Sequence, residues 1–536
     1  MVDSPVSQTE LGLSAHRAGR FDEAASRYRF VLAENPRNAE ALHLLGVLRD
    51  AQGSHQEAVR LIEDALAIGE TAGYHCNLAM VLGHLGRHWE AVCAARRALS
   101  LRPGYPEALN NLGVSLTALD SDEAAIQAFQ AAVAARADYG EGWINLGHIL
   151  RRHDRHEESE ASFRRTIALR PGEASGYASL ALVLDEQDRP HEALALLDLA
   201  IGFRPDDAEA RHHRAMLLLR LGRFAQGWAE YDWRFSISQA AGAFRPSPAH
   251  TLWRGEPLNG RTILLIPEQG LGDTIQFCRY APLVAARAAS LGGQVCLGAP
   301  RPLARLLRSS FPDIAVIAEG EAVPEHTLHC PLLSLPHAFL TTLETVPASI
   351  PYLSPPDEAL DHWRARLPRT AALRCGIVWA GNAGHPNDRR RSLAFAELAP
   401  LWALAGVEWH SLQVGSRAAD LGAAPAGQIR DLSPELTDFA ETAAAIMQLD
   451  VVVTPDTAVA HLAGSLGVPS LVMLSFATDW RWIRGQDSSL WYPGMRLFRQ
   501  DRSSDWRPVI EAVAAALATS APTQTKRTAL FGSKVP

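Results

Sequence analysis

The sequence predicts a two-part molecule, an α-helical solenoid followed by a pair of α/β lobes with parallel sheets. Three observations carry this reading. A 34-residue beat runs through the first half, with Pro103, Ala137, Pro171 and Pro205 falling on it and Trp143 answered by Tyr177. The beat stops after Phe235, where Gly, Ala and three prolines (Pro246, Pro248, Pro257) gather. Beyond Gly260, short β-branched and aliphatic runs alternate with helical stretches, the pattern of parallel sheets covered on both faces.

The repeats come first. Small residues at Gly12, Gly46, Ala79, Gly113, Gly147 and Ala181 mark where the first helix of each unit packs closely on the second. Ala24, Ala58, Ala91, Ala125, Ser159 and Ala193 serve the second helix, followed four later by Tyr28, Ile62, Ala95, Phe129, Phe163 and Leu197. Helical hairpins at this period are the signature of tetratricopeptide repeats, which bury their apolar faces only by stacking and so build a groove that holds a partner. Six full units fit. A seventh starts near Ala210 and ends in Gly227-Trp228-Ala229-Glu230-Tyr231-Asp232-Trp233-Arg234-Phe235, read as a capping element and a junction to the second domain. The expected boundaries are 1–235 for the solenoid, 236–259 for a linker, 260–353 and 354–520 for the two lobes, and 521–536 for a disordered tail.

Composition narrows the class. The 536 residues are 47% hydrophobic and 21% charged, an ordinary globular mixture, and the net charge of −8 offers no basic footprint for nucleic acid. Six cysteines without a CxxC pair read as small buried hydrophobes of a reducing compartment. The first twenty residues lack an apolar signal core, and no apolar run approaches the roughly 18 residues that span a bilayer. A soluble, cytoplasmic protein is expected.

In the first lobe, residues 262–267, 294–297 and 314–317 read as strands and 273–289 as a helix. After a Pro-rich break at 347–356, residues 375–379, 407–412, 451–453 and 471–474 read as the strands of the second lobe. In such sheets ligands sit beyond the carboxyl ends of strands, against helix N-termini. Three strand-to-helix turns there carry unusual chemistry. Glu268-Gln269-Gly270-Leu271-Gly272-Asp273-Thr274 has two glycines that let backbone approach a ligand, and Asp273 is either a helix cap or a general base for an acceptor hydroxyl. Thr454-Pro455-Asp456-Thr457 opens a helix whose free N–H groups suit an anion, with the Thr457 hydroxyl as a further donor and His461 one turn behind. The loop 379–392 contains Asn382 and the run Arg389-Arg390-Arg391, which is either a solvated basic loop or a clamp for a diphosphate, since guanidinium forks match phosphate oxygens.

Gly270-Leu271-Gly272-Asp273 and the stretch Asp456-Thr457-Ala458-Val459-Ala460-His461-Leu462-Ala463-Gly464 resemble the signature segments of heptosyltransferase-like glycosyltransferases of the GT-B fold. Residues 379–392, 479–484 and 491–500 resemble the bacterial branch in which that catalytic region follows tetratricopeptide repeats. The resemblance implies an inverting, metal-independent hexosyl or heptosyl transfer from a nucleotide-sugar, with no cofactor beyond that co-substrate. By position, Asp273 matches the catalytic Asp, Gly270, Gly272, Asn382, Asp456, Thr457 and His461 fall in donor-binding segments, and Arg391, with Arg389 as its alternate, matches a phosphate-binding basic residue. The first lobe is shorter than a GT-B lobe, so the repeats are expected to complete the acceptor side with a protein or peptide in their groove. The competing reading is a non-catalytic interaction scaffold whose α/β region binds a nucleotide-sugar or nothing.

Overall fold

A computed structural model describes residues 5–237, 251–290, 292–385, 387–425, 427–502 and 505–519. The chain divides into two compact units, Met1–Pro205 and Asp206–Pro536.

The first unit is a run of six helical hairpins, beginning with Pro5–Arg17 and Phe21–Glu34 and ending with Ala174–Glu186 and Pro190–Phe203. The predicted small–large pairs are the packing contacts. A Cβ on Gly12 would stand 2.7 Å from Tyr28 Cε1, on Gly46 2.8 Å from Ile62 Cγ1, and on Gly147 2.7 Å from Phe163 Cε1, all closer than side chains tolerate. Where the first partner is Ala79, the second is Ala95, and both are buried in one cluster. Each hairpin turns through a left-handed residue, Gly19, Gly53, Gly86, Asp120, Asp154 and Asp188 in sequence, the conformation that glycine and short polar residues accept most readily.

The seventh hairpin, Ala208–Arg220 and Phe224–Tyr231, belongs to the second unit. The compact boundary therefore lies at Pro205 and not at Phe235, because the aromatic run packs into the α/β core: Trp228 meets Trp480 edge-on at 5.1 Å, and Phe224 stacks on Trp491 at 6.2 Å. Arg234 is buried and pairs with Glu268 (Nη2 to Oε1, 2.7 Å) at the end of the first core strand. Of the expected linker, residues 238–250 lie outside the described residues, as does the expected tail 521–536. The linker's end is part of the sheet: Thr251–Leu252 forms a strand, and Trp253 and Leu258 are buried.

The second unit holds two wholly parallel sheets. The first contains β1 (Thr251–Leu252), β2 (Thr262–Ile266), β3 (Gln294–Ala299), β4 (Ala315–Ala318) and β5 (Leu328–Pro331), in the order β1-β5-β2-β3-β4. The second contains β6 (Leu373–Ile377), β7 (Val407–Ser411), β8 (Ile429–Asp431), β9 (Val451–Pro455), β10 (Ser470–Leu474) and β11 (Met495–Arg499), in the order β11-β10-β9-β6-β7-β8. Strands β5, β8 and β11 are not evident in the sequence, because each is short or interrupted by charged, His or Pro residues. The helix expected over 273–289 is two helices, Leu271–Phe277 and Ala281–Ala289, with a 3-10 turn between. Pro282, which lacks an N–H and crowds the preceding carbonyls, sits in the first turn of the second.

Strand order explains where a ligand can sit. In the second sheet the chain moves outward from β6 to β7 and β8, then returns to the other side of β6 at β9. In the first it moves from β2 to β3 and β4 and returns beside β2 at β5. At each reversal the segments leaving neighbouring strands diverge, opening a crevice at the carboxyl ends. The three turns singled out in the sequence follow β2, β6 and β9.

Candidate functional site

Residues from both sheets close around one cleft in the second unit. The turn after β2 enters the helix Leu271–Phe277 through Gly270, whose N–H donates to Asp273 Oδ2 at 2.7 Å. The other carboxylate oxygen, Oδ1, takes the guanidinium of Arg481, from the segment after β10. Arg481 is buried and fully engaged. Its Nη1 donates to Asp479 Oδ1 at 2.9 Å, its Nε donates to Gln276 Oε1 at 2.6 Å, and its Cζ lies 4.4 Å from the centre of the Trp480 ring. A second buried guanidinium, Arg279, donates to the carbonyls of Trp491 (2.8 Å) and Pro347 (2.9 Å) and to the Tyr352 hydroxyl (2.9 Å). Two arginines on the β2 side and the β10 side thus hold the sheets' ligand-facing ends together.

The helix Ala458–Ser465, after β9, is pressed against this assembly. A Cβ on Gly272 would come within 2.9 Å of His461 Cδ2, so glycine is required where the two turns cross. His461 is buried, stacks on Trp482 at 5.5 Å, and shares a 3.0 Å hydrogen bond between Nδ1 and the Tyr492 hydroxyl. Burial, with Arg481, Arg279 and Arg391 nearby, holds its imidazole well below the ordinary range, so the ring is neutral. His461 packs behind the turn, with its Nε2 3.9 Å from Asp456 Oδ1.

Thr457 is also engaged within its own turn. The Thr454 hydroxyl donates its single proton to the Pro455 carbonyl at 2.9 Å, so the 3.0 Å contact between the two threonine hydroxyls uses the proton of Thr457. The Thr457 hydroxyl is spent inside the turn, leaving backbone N–H groups as the turn's donors.

Asp456 remains partly open to the cleft, its side chain 20% exposed. Burial pushes its carboxyl from 3.8 up to about 6, and the Asp479 carboxylate adds to the rise against the pull of Arg481 and Arg391. On the third turn, Arg391 is half-buried, with Nε 3.3 Å from Asp388 Oδ1, and its charge acts on Asp456, His461 and His385. Burial, and then the Arg391 charge, hold the His385 imidazole below its ordinary range. Arg389 and Asn382 lie on the exposed side of that loop, and Asn382 Oδ1 accepts from Gly384 N–H at 3.0 Å as part of a local turn. Pro386, between them, is outside the described residues.

The residues brought together are Asp273, Gly270 and Gly272 from the first sheet with Asp456 and Arg391 from the second. Sequence reasoning gave no role to Arg481, Asp479 or Arg279. For Asp479 and Arg481 the signal was a charged pair inside the aromatic run Asp479-Trp480-Arg481-Trp482, and Arg279 carried none.

Among known proteins, the tetratricopeptide repeat model matches residues 9–73, 76–140 and 144–208, so the N-terminal hairpins are tetratricopeptide repeats. Protein FlbA of Caulobacter vibrioides is 28% identical over 331 residues, 57% of this chain and 54% of that protein. The chain thus spans about half the length of this curated relative. Solved structures with similarity include pilF of Pseudomonas aeruginosa (17% identity, TM-score 0.36, 39% of this chain and 96% of that one) and the APC/C hetero-tetramer Cut9–Hcn1 (21% identity, TM-score 0.38, 40% and 43%). No described helix is long and apolar enough to cross a membrane.

Proposed function

We propose that the second unit is a GT-B-type glycosyltransferase that moves a sugar from a nucleotide-sugar to a protein acceptor recruited by the repeats. The observation that carries this reading is the meeting of two strand-order crevices at one cleft, with Asp273 on one wall and Arg391, Asp456 and the N-terminus of helix Ala458–Ser465 on the other. Such a transfer needs a base on the acceptor and positive charge on the departing diphosphate. Asp273, fixed by Gly270 N–H and Arg481, is the base, and Arg391 with the helix N-terminus meets the diphosphate.

Asp456 fits this picture through its raised pKa. A carboxylate would repel a diphosphate, but a carboxyl already titrating near 6 is driven further toward its neutral form by an incoming anion and then donates a hydrogen bond to it.

The test begins with thermal stabilisation of the intact chain by UDP, GDP, ADP, CMP and dTDP, because a ligand that binds only the folded state raises its stability by RT ln(1 + [L]/Kd). One nucleotide is expected to stabilise strongly. If none does, the repeats alone remain and the protein is an interaction scaffold. With a donor and acceptor in hand, Asp273→Asn is expected to keep nucleotide binding and lower transfer by about 10²-fold or more. Near-unchanged transfer would remove Asp273 from the mechanism.

A further inference from the structure

Three side chains at the joint between the second and third repeats converge on one point. Asp50 ends the helix Ala39–Ala51, His55 begins the helix His55–Ile68 of the same hairpin, and His84 ends the helix Ala72–His84 of the next. Asp50 is the penultimate residue of its helix and His84 the last residue of the next repeat's first helix, 34 residues further on. His55 Nδ1 lies 2.7 Å from Asp50 Oδ1, and His84 Nδ1 lies 3.1 Å from both Asp50 oxygens. One ligand atom from each of the three falls within 4.8 Å of the others. The imidazole rings do not stack. Their centroids are 5.5 Å apart with planes tilted by 57°, both presenting Nδ1 to the shared carboxylate.

We propose that Asp50, His55 and His84 form a binding site for a divalent transition-metal ion of the zinc class, which staples the second repeat to the third. The donor set supports this class: two imidazole nitrogens and a carboxylate suit Zn²⁺ and its neighbours, whereas Ca²⁺ and Mg²⁺ favour all-oxygen shells. The distances support it too. Ligands bound about 2.0–2.1 Å from a tetrahedral zinc stand roughly 3.3 Å apart, so the present 2.7 and 3.1 Å contacts need to open by only a few tenths of an ångström. Burial orders the parts: the Asp50 side chain is 6% exposed and fixed in the joint, while His84 is 50% exposed, leaving a path for the ion and room for water as a fourth ligand. The alternative is a hydrogen-bonded hub in which both Nδ1 atoms carry protons and donate to Asp50. Metal binding requires both Nδ1 atoms to be bare, so the two states exclude each other.

Titration of the full chain with Zn²⁺ by calorimetry, and with Co²⁺ by visible absorption, decides between them. A Cys93→Ser background removes the exposed thiol as a competing ligand. One tight equivalent is expected, with Co²⁺ d–d bands of low-coordinate N/O ligation and a metal-dependent rise in Tm. His84→Gln, at the most exposed of the three positions, leaves the fold intact by circular dichroism and weakens that equivalent at least tenfold, and His55→Gln does the same. No stoichiometric equivalent in the parent, or an equivalent that both variants retain at parental affinity, overturns the site and leaves the hub.

Discussion

The repeats and the α/β unit achieve close packing over very different stretches of chain. In the repeats, Gly113 makes room for Phe129 and Gly147 for Phe163, each pair on adjoining helices of one hairpin and each a copy of the last. In the α/β unit, Asp273 meets Arg481 across 208 residues, and Arg279 reaches the Trp491 carbonyl across 212. A repeated local fit spreads stability over many equivalent joints. A single distant fit concentrates it, along with the ligand-facing geometry, in a few charged side chains.

The sharpest way to break this contrast is Arg481→Ala. It strands Asp273 and Asp479 beside a buried gap, and removing one partner of a buried pair costs about 3–5 kcal/mol. The expected outcome is a large fall in the unfolding midpoint of the α/β unit together with loss of nucleotide binding, while limited proteolysis shows the repeats intact. Equal loss of both units would mean that the distant pair is not local to the cleft.

Gly147→Leu tests the other side. A side chain there collides with Phe163, and overpacking costs about 1–3 kcal/mol. Hydrogen exchange is expected to rise in the hairpins around residues 140–170 and to stay unchanged around Asp273. Global unfolding from this one glycine would contradict the modular reading of the repeats.

Within the cleft, Arg391→Ala is expected to weaken nucleoside diphosphate binding roughly tenfold, the contribution of one charge-assisted hydrogen bond, whereas Thr457→Val is expected to change it little because the Thr457 proton already serves Thr454. Calorimetry with nucleoside and nucleoside diphosphate on both variants checks this. The reverse ranking would return the threonine to the ligand.

The smallest effect is a pH signature. Asp456 titrates near 6 in the folded chain against 3.8 ordinarily, so the folded state holds its proton more tightly. The stability this contributes is complete below about 4 and disappears as pH rises through 6. Asp456→Asn is therefore expected to raise Tm relative to the parent by an amount that grows from pH 4 to pH 6 and then levels off. A pH-independent difference would mean that the carboxyl titrates in its ordinary range.

How much of the molecule is legible in the sequence depends on the same division. The repeat contacts can be read because each is encoded twice, by a small residue and by its large partner one helix later, and then copied. The turns after β2, β6 and β9 can be placed because strand and helix alternate, and the position of ligands beyond strand ends is a property of parallel sheets. The partners within the cleft cannot. Nothing adjacent in sequence links Asp273 to Arg481 or Gly272 to the His461 ring, and the hydroxyl contact between Thr454 and Thr457 shows only once the turn is folded. Pro282 does signal the helix break, but the unbroken apolar pattern around it hides the signal.

The seventh hairpin gives this architecture a socket. Because Trp228, Tyr231 and Arg234 are seated among Trp480, Glu268 and Ser334, the α/β unit carries a helical stub of repeat pattern as part of its own body. The division at Pro205 therefore falls between the sixth and the seventh hairpin and leaves this stub with the α/β unit.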